Sequence, residues 1–373
     1  MAVVQRIPLL IFEPMKKIDW YILKKFVGTF FYSLMILLVI SVVIDITEKV
    51  DDFMRNNLTL KTIIFEYYIG FIPSIAALLF PLFIFISVIF FTSKMAYRSE
   101  IIAILASGVS FRRFLRPYWV GAIGFGLMLW AANTWVVPKA NRLVNAFQDN
   151  YVHRHEDAMA LYDKTVRIDS FNYVTFGSWD PNYKTGASFV MQEIHGQKVT
   201  FKLKADRVSW DSTEKKWKMY NLSMRHINDL NESWTYKQDS LMKLRITPVD
   251  LVKKRDEQVA MTTPELNEYI KKQQLRGAEG LNTYLVEKYR RTAAGFMVVV
   301  LTLIGGIMAS RKVRGGSGLH LALGIVISAS YIIFLQFATV FSTKSNLNPL
   351  LAVWIPNVVF GALAIYLYRR APK

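Results

Sequence analysis

The sequence predicts an α-helical polytopic membrane protein with six transmembrane helices and an inserted all-β, jelly-roll-like periplasmic domain. Hydrophobic residues make up 53% of the 373 residues and charged residues only 20%. Several apolar runs reach the roughly 20 residues that cross a bilayer core of about 30 Å. Between residues 138 and 290 these runs give way to alternating polar and apolar segments, which predicts the insertion.

Six apolar runs are the predicted spans. The first, residues 26–46, is too long for the core of a signal peptide, so we expect no cleaved leader. The second contains Pro73 and Pro81. It would form a helix of about 45 Å, so it should tilt, kink or extend beyond the bilayer. The runs are residues 26–46, 63–92, 118–137, 292–310, 319–341 and 350–367.

The middle segment predicts strands followed by helices. In residues 198–210, Phe201, Leu203 and Ala205 alternate with polar side chains, which is typical of a half-buried strand. Strands at this spacing favour a sandwich or a barrel-like sheet. A helical connector follows at 263–290, with a first helix from Thr263 to Arg276 and a second from Leu281. Further strands are predicted at 165–169, 173–176, 187–194, 216–226, 233–237 and 241–247.

Three domains follow from these patterns. Residues 1–137 form an N-terminal transmembrane half, 138–290 the β domain with its connector, and 291–373 a C-terminal transmembrane half. Basic residues concentrate before span one, in the 93–117 loop, in the 311–317 loop and in the C-terminal tail. The positive-inside rule then places both termini in the cytoplasm and the β domain outside. The net charge of +18 therefore reflects cytoplasmic loops and argues against nucleic-acid binding.

The residue inventory argues against an enzyme. The chain has no cysteine, which excludes disulfides and thiol catalysis. It has no P-loop motif and no Gly-Lys pair, so it does not cradle a nucleotide in that manner. We expect no cofactor and no metal site. His153 and His155, with Glu156 and Asp157, resemble ligands superficially, but a polar surface cluster is favoured because no third ligand stands out.

The loop between spans two and three contains an amphipathic helix. Ile101, Ile104 and Leu105 share one helical face that ends near Gly108. Such a face needs a surface to bury it. The residues alone leave two possibilities open: a helix lying in the membrane interface, with its arginines at lipid phosphates, or a docking helix for a cytoplasmic protein.

Residues 98–108, Arg-Ser-Glu-Ile-Ile-Ala-Ile-Leu-Ala-Ser-Gly, resemble the coupling helix of the LptF/LptG permease family, the membrane part of the lipopolysaccharide export ABC transporter. The topology of three spans, a periplasmic domain and three spans is similar too. So are Val50-Asp51, Phe80-Pro81 and residues 137–141. Residues 266–271 look more like the LptG branch. The resemblance covers essentially the whole chain.

The resemblance implies a transport subunit in the bacterial inner membrane. In the family, the acidic residue of this helix, here Glu100, faces a groove on a cytoplasmic ABC ATPase (LptB-like) that hydrolyses the ATP. The implied partners are that ATPase, a sister permease subunit, periplasmic β-jellyroll bridge proteins (LptC- or LptA-like), lipopolysaccharide and membrane lipids. The implied coupling helix spans 98–114, and its coupling residues are Arg98, Glu100, Ile101, Ile104, Leu105 and Gly108.

Four basic residues are candidates for binding lipid phosphates. Lys49 and Arg55 lie near the outer end of span one, where the family uses basic residues for this purpose; a solvated loop with local ion pairs is the alternative. Arg290 and Arg291 open span four, and guanidinium groups suit phosphate oxygens. Anchors that snorkel to the interface are the alternative there.

Two other functions stay open. The chain could be the permease of another lipid or lipoprotein ABC exporter, although lipoprotein extractors usually carry the large domain after the first span. It could also be a membrane scaffold or receptor with a periplasmic β domain that transports nothing.

Overall fold

The computed structural model describes residues 15–152, 161–169, 171–196, 198–228, 231–251, 256–276, 280–311, 317–345 and 347–371. Its contacts divide the chain into two units, Met1–Val144 with Asn282–Lys373, and Asn145–Leu281. We call the first the helical unit and the second the β unit. The predicted domain boundaries, after residues 137 and 290, stay predictions, and both fall inside continuous helical stretches.

The first half of the chain forms three long helical stretches. Span one is α1 (Lys17–Arg55). Span two joins α2 (Leu60–Thr62), a π-helical segment (Ile63–Tyr68) and α3 (Ile69–Tyr97), which continues through both prolines. The loop holds α4 (Glu100–Ala106) and α5 (Phe111–Phe114). Span three then follows as α6 (Arg116–Ala131), a π-helical segment (Ala132–Val136), α7 (Val137–Phe147) and a last π-helical segment (Gln148–Val152).

The β unit contains one antiparallel sheet in the described residues, and its six strands stand in sequence order. The inserted β domain is thus confirmed. Within the described residues the order is a meander, in which each strand pairs with the next along the chain. The strands are β1 (Leu161–Arg167), β2 (Asn172–Asp180), β3 (Thr185–His195), β4 (Lys198–Asp211), β5 (Lys216–Asn228) and β6 (Asn231–Met242), followed by α8 (Pro248–Leu251), α9 (Glu257–Ala260) and α10 (Thr263–Arg276).

Two aspartates shape hairpin turns of this sheet. Asp180 accepts a hydrogen bond from the backbone N–H of Asn182 at 2.9 Å. Asp211 accepts from the backbone N–H groups of Glu214 at 3.1 Å and Thr213 at 2.8 Å, and these bonds lower the pKa of its carboxyl group. Such Asx turns explain why the chain reverses at these points.

One face of the sheet forms the core of the β unit. The alternation predicted in β4 is confirmed, because Leu203 and Ala205 are buried and Phe201 packs against the same cluster. The separate strand predicted at 241–247 is wrong. Residues 241 and 242 end β6, and the chain then turns over the core, where the buried Ile246 accepts a hydrogen bond from Trp217 Nε1 at 2.8 Å.

Spans four, five and six complete the helical unit as α11 (Leu281–Ala309), α12 (Ser317–Ser345) and α13 (Pro349–Arg369). All six predicted spans are confirmed as helices long and apolar enough to cross a membrane. A buried hydrogen-bond chain joins the last three. Tyr331 in α12 donates to Asn357 Oδ1 in α13 at 2.9 Å, and Asn357 Nδ2 donates to the carbonyl of Ala293 in α11 at 3.3 Å.

The helices are longer than the apolar runs that predicted them. α1 has 39 residues, which corresponds to about 58 Å, whereas its apolar run has about half that length. Lysine and glutamate favour helices as well as leucine does, so the helix continues past the apolar run at both ends. Phenylalanines bind α1 to α3 and α6, with ring centroids of Phe30 lying 4.8 Å from Phe80 and 4.6 Å from Phe125.

Candidate coupling and lipid-binding sites

The loop between spans two and three holds the predicted coupling helix. The structure divides residues 98–114 into α4 and α5, because Gly108 between them has a φ of +87°. This left-handed conformation ends α4 in the way glycine commonly ends helices. Ser110 then begins α5, its hydroxyl oxygen accepting a hydrogen bond from the backbone N–H of Arg113 at 3.3 Å.

The apolar face of α4 packs against the chain itself. Ile101 is 1% exposed and belongs to one core cluster with Met95, Phe111 and Phe114. Ile104 and Leu105 pack against that cluster. The surface that α4 needs is therefore supplied by its own loop and by span two, while Arg98 and Ile102 stay exposed.

Glu100 begins α4 and contacts span one. Its Oε2 atom accepts a hydrogen bond from the hydroxyl of Tyr21 at 3.0 Å and lies 3.6 Å from Lys25 Nζ. The carboxylate remains partly exposed, with 26% of the side-chain surface accessible. It can thus accept a further charged donor from outside the chain.

A second ion pair joins span one to the same loop. Asp19 Oδ2 accepts from Arg113 Nη2 at 2.7 Å and from the backbone N–H of Lys16 at 2.8 Å. Asp19 is buried, so this pair is shielded from solvent. Asp19 and Arg113 line an open pocket of about 370 Å³, whose walls also include Ile18, Ile104 and Gly108.

Lys49 belongs to a buried polar cluster towards the other end of α1. Its ammonium group pairs with Asp45 one helical turn earlier and contacts the hydroxyl of Tyr67. Tyr67 and Tyr68 donate to the two oxygens of Asp45 at 2.9 Å and 3.0 Å. The cluster has no net charge, since one carboxylate offsets one ammonium. A phosphate that binds Lys49 must therefore compete with Asp45.

The π-helical segment Ile63–Tyr68 brings both tyrosines to one carboxylate. Consecutive residues of an α-helix diverge by about 100°, whereas the wider π turn reduces that angle. Such π turns occur frequently at functional sites.

Arg290 and Arg291 share a carboxylate that sequence reasoning missed. Glu287 Oε2 lies 2.6 Å from Arg290 Nη2, and its Oε1 lies 3.0 Å from Arg291 Nε. Arg291 is buried, whereas Arg290 is largely exposed, as is Arg55 at the end of α1. The cluster carries one net positive charge. Arg290 and Arg55 are thus the two candidate cations that an anionic head group can reach most directly.

The structure therefore assembles the predicted residues into separate sites. Arg98, Glu100, Ile101, Ile104, Leu105 and Gly108 lie together on α4 and its ends. Sequence reasoning missed their partners Tyr21 and Lys25, because no local pattern connects residues 79 positions apart. By contrast, a carboxylate followed four residues later by a basic residue predicts an ion pair on one face of a helix. The sequence therefore contained the information for the pairs Asp45–Lys49 and Glu287–Arg291.

Metal ligation receives no support in the described ranges, where no group of three His, Cys, Asp or Glu side chains could hold a metal ion. His153, His155, Glu156 and Asp157 lie outside the described residues.

Comparison with known families agrees with this architecture. The family model for the lipopolysaccharide export system permease LptF/LptG matches residues 20–370. It treats both branches together, so the LptG-like assignment stays a prediction. A comparison with curated proteins gives no match. Because the family match covers nearly the whole chain, including α4 and all six spans, the chain belongs to the LptF/LptG family of lipopolysaccharide export permeases.

Proposed function

We propose that this permease is one membrane subunit of an ABC exporter. It extracts lipopolysaccharide from the bacterial inner membrane and passes it to a periplasmic bridge, and a separate cytoplasmic ATPase supplies the energy. The observation that carries the proposal is α4. Its apolar face is buried in the chain while Glu100 at its first turn stays accessible. This arrangement suits a short helix that presents a charge to a partner.

The proposed orientation follows from charge. The end of the helical unit that carries α4 also carries several basic residues. Arg113 pairs with Asp19 beside Lys16. Arg311 donates to the carbonyl of Arg370, close to the stacked rings of Phe111 and Tyr368. With both termini and this loop in the cytoplasm, the ATPase reaches α4 and the β unit lies in the periplasm.

The proposed lipid path uses the exposed cations. Arg55 and Arg290 bind phosphate groups of the lipid. Lys49 and Arg291 add positive charge nearby, while their ion pairs with Asp45 and Glu287 hold them in place. The acyl chains lie against apolar side chains that α1 and α12 leave exposed, and a sister subunit closes the cavity. Among these exposed side chains are Ile36, Val39, Val43, Val326, Ile333 and Phe337.

The proposed exit is the sheet of the β unit. β6 is last in the strand order and is exposed along most of its length, so a strand of a β-jellyroll bridge protein can extend the sheet there. Arg225 of β5 pairs with Glu232 of this strand and lowers the pKa of the Glu232 carboxyl group, and Lys237 and Asp239 place further charges along β6. A charged edge also limits unspecific strand pairing.

Charge reversal tests the ATPase contact. We expect Glu100→Arg to abolish co-purification of an ATPase with the chain, because it sets like charges against each other. Asp51→Arg makes the same charge change on an exposed residue of α1 and should retain the ATPase. Wild-type recovery with Glu100→Arg would favour a scaffold or receptor that needs no ATPase.

Photo-crosslinking tests the substrate. A photoreactive amino acid at position 55 or 290 should label lipopolysaccharide in preference to phospholipid, and dephosphorylated lipopolysaccharide should label less. Labelling of phospholipid alone would contradict lipopolysaccharide export and favour an exporter of another lipid.

A further inference from the structure

Tyr21 and Lys25 form one unit on the first turns of α1. They lie four residues apart and therefore on the same side of the helix. The ammonium group of Lys25 contacts the Tyr21 hydroxyl and lies 4.1 Å from the centre of its ring, a cation–π arrangement. The neighbouring Ile22 is 1% exposed, which fixes this part of α1 in the core of the helical unit.

Both residues contact the same oxygen of Glu100. Tyr21 donates to Oε2, and Lys25 lies nearest to Oε2. Across the described residues, no hydrogen bond or ion pair reaches Oε1. Glu100 also lies one residue before the buried Ile101, which anchors the first turn of α4.

We propose that Tyr21 and Lys25 are positioning residues for the coupling contact. They hold Oε2 and thereby direct Oε1 towards a basic group of the partner ATPase. This inference rests on the proposed function, because it needs an ATPase that binds Glu100. Without the two contacts, the glutamate side chain samples several rotamers and orders only when the ATPase binds, which weakens association.

The test measures the affinity of the full chain, reconstituted in nanodiscs, for the ATPase that co-purifies with the unmutated chain. Tyr21→Phe removes only the hydroxyl, and Lys25→Gln removes only the charge. Each should weaken binding roughly two- to fivefold, the range expected for partly exposed polar contacts. Tyr32→Phe and Lys24→Gln are matched controls on exposed residues of the same helix and should leave affinity unchanged.

A double-mutant cycle with Glu100→Gln separates positioning from a structural role. In the Glu100→Gln background, Tyr21→Phe should have no further effect, because the carboxylate it positions is gone. An equal loss in both backgrounds would overturn the inference, and so would unchanged or tighter binding by Tyr21→Phe and Lys25→Gln.

The outcome of Glu100→Arg keeps the two proposals apart. If Glu100→Arg binds the ATPase normally, the coupling contact itself fails. If Glu100→Arg loses binding while Tyr21→Phe and Lys25→Gln match their controls, the coupling contact stands and the positioning role fails.

Discussion

Gly126 in α6 and Gly295 in α11 approach each other backbone to backbone. A Cβ atom on Gly126 would lie 2.8 Å from the carbonyl oxygen of Gly295, and one on Gly295 would lie 3.0 Å from the carbonyl oxygen of Gly126. Only two glycines permit this crossing, which joins span three to span four. Small residues allow helices such close contact within membranes.

We therefore expect Gly126→Val to destabilise the helical unit by about 1–3 kcal/mol, the usual cost of overpacking. Gly124→Val is the control, because a Cβ there meets nothing within 4 Å. Thermal unfolding in one detergent, followed by tryptophan fluorescence, should show a lower midpoint for the first variant only. Equal midpoints would contradict the close crossing.

Asp45 pairs with Lys49 and accepts hydrogen bonds from two tyrosines. The substitution Asp45→Ala should therefore leave the half-buried ammonium group of Lys49 without its carboxylate. Breaking a buried pair in this way costs about 3–5 kcal/mol. Asp51→Ala, on an exposed residue six positions along α1, should cost less than about 0.5 kcal/mol.

The double variant Asp45→Asn with Lys49→Met removes both charges and should recover most of that loss. Denaturant unfolding of the full chain measures all three variants. An Asp45→Ala variant as stable as Asp51→Ala would rule out the buried pair.

Gly108 ends α4 in a left-handed conformation, which costs a residue with a side chain about 1–2 kcal/mol. Gly108→Ala should therefore loosen α4, although no neighbouring atom opposes the added methyl group. Gly28→Ala, inside α1 and equally open, should stabilise its helix by about 0.5–1 kcal/mol.

Hydrogen exchange of peptides from residues 99–107 should be faster in Gly108→Ala and unchanged in Gly28→Ala. Unchanged exchange in both variants would show that the conformation of Gly108 does not hold α4.

Trp217 fastens the segment after β6 to the core of the β unit. Trp217→Phe removes the indole N–H and leaves the carbonyl of Ile246 unpaired, which costs about 1–3 kcal/mol. Amide exchange of residues 243–251 should accelerate. Trp234→Phe changes an exposed tryptophan of the same sheet, 50% accessible, and should leave that exchange unaltered. Similar exchange in the two variants would mean that the hydrogen bond does not fasten this segment.

The sequence predicted those features that depend on neighbouring residues. Hydropathy located the spans, and alternation located β4, because the bilayer and the sheet each select side chains at fixed intervals. Features that depend on distant residues were not accessible. The contact between Tyr21 and Glu100 requires span one to lie beside the loop. Tyr67 and Tyr68 contact Asp45 from a π-helical segment that no sequence pattern predicts.

The strand predicted at 241–247 shows that a local pattern can also predict an element that does not form. The residues there alternate as a strand would, yet Ile246 lies over the core and gives its carbonyl to Trp217. Local alternation cannot distinguish a strand from a covering segment, since both place every second side chain inward.

α1 runs without interruption from Lys17 to Arg55. Tyr21 contacts the loop between spans two and three near one end, and Asp45 contacts span two 24 residues later, about 36 Å along the axis. An uninterrupted helix is stiff along its axis, so its two ends move together. A tilt or slide of α1 at its Tyr21 end therefore also displaces the cluster around Lys49.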